Sequence, residues 1–164
     1  MAPSGSAGAS AGASAGASGA AGDLAALIPK TVGDVELTVV SPSADAYIRA
    51  NVNRQLTPIL TALGKTPADV TVATATGAAV GGASLFIDAV RINGVDAAQA
   101  LAAFETAASK IPGAEVAKTE MGGKQVVQLT TASDTTAVYA SSDTLFYVQS
   151  PDPALVEQAV AELP

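Results

Sequence analysis

The stretch Glu115-Val116-Ala117-Lys118-Thr119-Glu120-Met121-Gly122-Gly123-Lys124-Gln125-Val126-Val127-Gln128-Leu129-Thr130-Thr131 decides the fold. Residues 115–121 and 124–131 read as strands on either side of Gly122-Gly123. A two-residue connection made of two glycines suits the positive φ values of a primed hairpin turn. The register set by that turn passes to Val126, Val127 and Leu129, because a slip of one residue sends every side chain to the opposite face. Residues 136–141 and 144–149 flank Ser142-Asp143 in the same way and extend the hairpin to a four-strand meander. A helix closes the chain, with Asp152 as its cap, Pro153 at its first position, and Leu155, Val156, Ala159, Val160 and Leu163 as its buried stripe.

Upstream, Asp96 opens a further helix, with Gln99 at the capping-box position and Leu101, Phe104 and Ala108 on one face before Pro112-Gly113 stops it. Residues 70–76 and 83–92 read as two strands around the loop Gly77 to Gly82. Ile59, Leu60 and Leu63 share a helical face that ends at Gly64, with Pro67 beyond. Residues 35–40 form a first strand that stops at Ser41-Pro42-Ser43, and Leu24, Leu27 and Ile28 make a short amphipathic lid stopped by Pro29. The pattern of residues 44–55 fits neither period. The expected architecture is α+β: a mainly antiparallel sheet of about seven strands with helices on one face. The order after the lid also follows β-α-β-β-α-β, as in a ferredoxin-like core, and residues 85–104 and 145–163 repeat a strand-then-helix order that suggests a ββα duplication.

Residues 1–22 carry no charge and no large apolar side chain after Met1, so they cannot offset their own ordering entropy, and a disordered tether is expected ahead of a single domain over 23–164. The domain's length of about 140 residues suffices for one core. Of the chain, 49% is hydrophobic but only 4% aromatic, so branched aliphatics must supply the packing. With 8 basic against 15 acidic residues the net charge is −7, which disfavours nucleic acid and anionic lipid as partners. The absence of Cys and His removes disulfides, thiolate catalysis, zinc-thiolate sites and the commonest general base. No cofactor is expected. Neither a signal peptide nor a membrane span is read from the given chain; an Ala/Gly/Ser tether commonly follows a cleaved export signal or a lipid-modified Cys, so the expected location is extracytoplasmic, with membrane association only through such an anchor.

Several constellations bear on chemistry. Gly8-Ala9-Ser10-Ala11-Gly12 matches the nucleophile-elbow pattern, but the chain has no His to serve it. The Gly77 to Gly82 loop precedes a strand and has no Lys beside it, so it reads as a hairpin tip and not a phosphate cradle. Asp134-Thr135 and Asp143-Thr144 stand at successive turns and would form a carboxylate dyad if the fold joined them. No Asp-x-Asp-x-Asp-Gly loop offers a calcium site, and no metal is expected. Asp88 interrupts an apolar strand and is either solvated, paired, or a ligand contact. Tyr47, Arg49, Asn51, Asn53 and Arg54 form the only polar-aromatic cluster with positive charge. With Asp88, they are the candidate contacts to a ligand or partner.

At Leu63-Gly64-Lys65-Thr66-Pro67-Ala68-Asp69-Val70, Gly122-Gly123-Lys124-Gln125-Val126 and Asp152-Pro153-Ala154-Leu155 the chain resembles uncharacterised secreted or lipoprotein-type domains of high-GC bacteria. The resemblance implies a small-residue tether behind an export signal and Ala-rich helices beside a β-meander. It carries over no site residue. The expected function is a tethered, extracytoplasmic binding or structural module without catalytic activity, its partner a protein, a glycan or a small ligand. The alternatives are a carboxylate-dependent hydrolase built on Asp134 and Asp143, and a carrier of a small apolar ligand held between sheet and helices.

Overall fold

A computed structural model of the chain describes residues 15–51 and 56–164, the side chains of residues 15–20 excepted. Its centre is a seven-stranded sheet, built from β3 (Thr38–Val40), β4 (Val70–Ala78), β5 (Ser84–Ile92), β6 (Glu115–Met121), β7 (Lys124–Thr130), β8 (Thr135–Ser141) and β9 (Thr144–Ser150). Their order across the sheet is β3-β4-β5-β9-β8-β7-β6, and every neighbouring pair is antiparallel. A ferredoxin-like core would seat the third of its strands between the first two, whereas here β3 pairs directly with β4 and β6 lies at the far edge, so that arrangement does not form. The first expected strand divides at Leu37. β1 (Thr31–Val32) and β2 (Val35–Glu36) make a separate small hairpin, and only β3 joins the main sheet.

The hairpin of β6 and β7 forms as its glycines dictate. Gly122 and Gly123 have φ of 56° and 78°, and Met121 pairs with Lys124. At the next turn Ser142 adopts a φ of 54°, and Ser141 pairs with Thr144. The closing helix α5 (Pro153–Glu162) starts where Asp152 accepts a hydrogen bond from the Ala154 amide at 3.0 Å. Lys124 donates to the Val160 carbonyl at 2.7 Å, which ties the hairpin tip to α5. Gly122 is also a contact point, since a Cβ placed there would lie 2.6 Å from the Ala161 nitrogen.

The helices cover both faces of the sheet instead of one. On the first face, α5 and α1 (Ala15–Ala26) lie with the β1–β2 hairpin over Ala73, Ala75, Leu85, Ile87, Ala89, Ala137, Phe146 and Val148. On the second, α2 (Ala44–Ala50), α3 (Leu56–Ala62) and α4 (Ala97–Ala108) cover Val72, Val90, Val127, Val138, Leu145 and Tyr147. The physical reason lies in β8 and β9. Ala137-Val138-Tyr139 and Leu145-Phe146-Tyr147-Val148 are buried without alternation, so apolar side chains project to both sides and each side needs a cover. Helix α4 supplies much of the second cover as it carries the chain across the sheet from β5 to the far edge at β6. The repeated ββα units therefore put their helices on opposite faces.

The N-terminal boundary also shifts. Helix α1 begins at Ala15, so residues 15–22 of the expected tether are helical, and Ser41 donates to the Ala21 carbonyl at 3.4 Å. Leu24 is wholly buried and anchors this helix to the first face. Residues 1–14 of the expected tether lie outside the described residues. Residues 44–50, whose pattern fits neither period, form α2, with Ser43 as cap accepting from the Ala46 amide and Asn51 closing it.

Tyr139 links the first face to α5. Its ring stacks on Phe146 at 5.3 Å, Lys124 sits 5.7 Å above its centroid, and its hydroxyl donates to the Pro164 main-chain oxygen at 3.2 Å. Burial pushes the phenol well above its ordinary value of 10.0. Because the folded value is raised, the phenol's contribution to stability is complete below pH 10.0 and is lost as pH climbs above it. Denaturation against pH is therefore expected to show an alkaline fall in stability that Tyr139→Phe flattens.

Candidate functional site

The antiparallel register sorts the second face into rows that cross the strands. One row runs Val40, Thr74, Asp88, Tyr147, Val138, Val127. The next runs Thr38, Thr76, Phe86, Gln149, Thr136, Leu129. The helices cover the first of these more fully than the second.

In the first row, Asp88 is only 4% exposed and accepts a hydrogen bond from the Tyr47 hydroxyl at 2.9 Å. Tyr47 descends from α2, whose position is fixed by the Ser43 cap, and is itself 2% exposed. A buried carboxylate is tolerated when such donors replace water. Tyr147, paired with Asp88 across β5 and β9, meets Phe104 of α4 edge to face at 5.5 Å. The sheet's central acid thus lies between the footprints of two helices.

The second row is open at one end. Thr38, Thr76 and Phe86 are exposed, Phe86 by 40%, and Gln149 is half-buried. Towards β8 and β7 the row closes, with Thr136 and Leu129 each 8% exposed. Val40, 53% exposed, adds an apolar side chain on the same face two strands from Phe86, with β4 between them. The open area is a shallow shelf of hydroxyls around an aromatic ring on rigid strands.

Of the residues singled out in the sequence, Tyr47 and Asp88 are brought together, but inside the molecule; neither is a surface contact. Arg49 is exposed and its Nε donates back to the Asp45 carbonyl at 3.1 Å. Asn51 is spent on the end of α2, donating to the Tyr47 carbonyl at 3.0 Å. Asn53 and Arg54 lie outside the described residues. Asp134 and Asp143 stand at opposite ends of β8, a separation of roughly 20 Å at the usual rise per residue. The dyad is therefore not assembled. Asp143 instead pairs with Arg91 at 2.7 Å, and Asp134 closes its own turn with Ser133 and Thr131. Among the described residues no group of three or more His, Cys, Asp or Glu side chains converges on a metal position, and no helix is long and apolar enough to cross a membrane.

Clefts lie elsewhere among the described residues. One of about 270 Å³ opens between α4 and the β6–β7 hairpin, over Leu101, Ala102 and Val127, with Lys118 and Glu105 paired at 2.9 Å among its lining. Another of about 370 Å³ borders β4 at Val70 to Val72, beyond the reach of short β3. Sequence reasoning missed Phe86, which looks like one more apolar residue of Leu85-Phe86-Ile87. No protein-family model, no curated protein and no solved structure matches the chain.

Proposed function

We propose that this protein is a non-enzymatic binding module that works outside the cytoplasm and meets its partner on the open row Thr38–Thr76–Phe86–Gln149. The observation that carries this reading is Phe86. A large ring stands 40% exposed in the middle of a sheet, and of the three exposed large apolar side chains among the described residues, two, Phe86 and Val40, share this face. The ring stands on one row with the exposed hydroxyls of Thr38 and Thr76, and Val40 lies one row away beyond β4 on the same face. The lack of His and Cys, and the separation of Asp134 from Asp143, favour binding over catalysis. The small-residue tract ahead of the domain and the resemblance to secreted domains favour the location.

A fragment screen followed through backbone amide shifts tests the reading. Hits are expected to cluster on residues 38, 76, 86 and 149 and to disappear in Phe86→Thr, which keeps a strand-forming side chain that matches its row. Hits confined to clefts away from the row, or none on the row, would overturn it.

A further inference from the structure

We infer that the chain pairs with a second copy of itself along β6, the far edge of the main sheet, in the antiparallel register that sets Lys118 of each copy opposite Glu120 of the other. The two edges of the sheet are finished differently. At the near edge β3 is three residues long and stops at Ser41-Pro42, where proline has no N–H to continue the ladder. β6 runs for seven residues without proline, and it pairs with β7 at every position from Glu115 to Met121, so it carries no bulge. Among the described residues no strand pairs with its outer side.

The ladder fixes which groups that side presents. The Thr131 N–H bonds to the Asp134 carbonyl at 3.0 Å in the register that joins β7 to β8, and bonded and non-bonded pairs alternate along an antiparallel ladder. Odd-numbered residues of β7 therefore bond to β8, and the even-numbered ones bond to β6 at Glu115, Ala117, Thr119 and Met121. Val116, Lys118 and Glu120 are left with N–H and C=O turned outward. All three side chains lie on the second face, with Lys118 opposite Val127 and Glu120 opposite Gln125.

Charge then selects the register of a two-fold pair. Centred on Lys118, the pairing sets lysine against lysine, and centred on Glu120, glutamate against glutamate; like charges directly opposite destabilise a strand pair. Centred on Ala117, it leaves Lys118 opposite the partner's Val116. Centred on Thr119, it sets Lys118 against the partner's Glu120 twice over, at positions where the outward N–H and C=O groups of the two strands meet. Lys118 is 68% exposed where it holds Glu105 at 2.9 Å, so it can face a second carboxylate without giving up the first. A lysine on an edge strand discourages pairing in general, whereas a lysine two residues from a glutamate on the same face is complementary to its own antiparallel copy. Each copy's net charge of −7 opposes the approach, but physiological salt screens that field beyond roughly 8 Å, and directly opposed side chains lie closer than this.

The test is sedimentation equilibrium of the full chain in physiological salt from about 10 μM to about 1 mM, a range that brackets a weak dimer. A reversible equilibrium between monomer and dimer is expected. Lys118→Glu and Glu120→Lys are each expected to weaken it about tenfold or more, and the double exchange to restore it within about threefold. Amide exchange gives a second readout: the amides of Lys118 and Glu120 should slow as concentration rises, whereas that of Thr119, already turned to β7, should not change. A monomer throughout, single reversals without effect, or a double exchange that fails to restore the dimer would overturn the inference. So would a dimer lost in Phe86→Thr, which would put the second copy on the open row instead.

Discussion

Replacing Gly122 and Gly123 together by valine is expected to destabilise the domain by about 3 kcal/mol or more, the sum of left-handed backbone strain at two β-branched residues and overpacking at one. Both positions hold positive φ, and a Cβ on Gly122 would fall 2.6 Å from the Ala161 nitrogen and 2.8 Å from its Cα. Strain at the turn is thus compounded by a collision with α5. The same double change at Gly81 and Gly82 is expected to cost about half as much or less, since only Gly82 has positive φ and neither added Cβ would meet an atom within 4 Å. Urea midpoints compare the two. Equal losses would mean that the β6–β7 hairpin does not set the register of the sheet.

Tyr47 is expected to give the second large effect, and in two separable parts. Tyr47→Ala should cost about 3–5 kcal/mol, as for a large aromatic removed from a packed site, because the ring is 2% exposed beneath α2. Tyr47→Phe keeps the packing and deletes only the donor to Asp88, so its cost should be about 1–3 kcal/mol, the penalty for a buried acceptor that loses a partner. Equilibrium urea denaturation of both variants checks the split. A neutral Tyr47→Phe would mean that the hydrogen bond does not hold α2 to the sheet.

The legible parts of the fold were those written in local chemistry. Gly122-Gly123 demanded a primed turn, Asp96 and Asp152 each cap a helix by accepting from an amide two residues on, and Gly64 ends α3 with a φ of 65°. The two-sided cover was also present in Leu145-Phe146-Tyr147-Val148, whose unbroken apolar run contradicts a sheet with one wet face. Reading it as part of a one-sided meander gave the wrong layering. The break at Leu37 was not legible, because Leu37 donates to the Lys30 carbonyl, a contact made only after the β1–β2 hairpin has folded back.

The candidate site was half legible. Asp88 stood out as an acid in an apolar strand, and Tyr47 as an aromatic in an ambiguous segment. Their pairing at 2.9 Å depends on where α2 lands, which no local pattern encodes. Phe86 was hidden for the opposite reason. Its exposure arises from the limits of the helical cover, and residues next to it in sequence, Leu85 and Ile87, are wholly buried on the other face.

The chain contains three phenylalanines, which makes one measurement decisive for the open row. In protein labelled with fluorophenylalanine, fluorine NMR resolves one signal per ring, assigned by the loss of one line in Phe86→Thr. The signal of Phe86 should respond to a soluble paramagnetic probe and to exchange of H2O for D2O, and should move when row-binding fragments are added. Those of Phe104 and Phe146, 2% and 0% exposed, should do neither. A Phe86 signal as sheltered from solvent as the other two, and unmoved by any fragment, would contradict the assignment of this face as the contact surface.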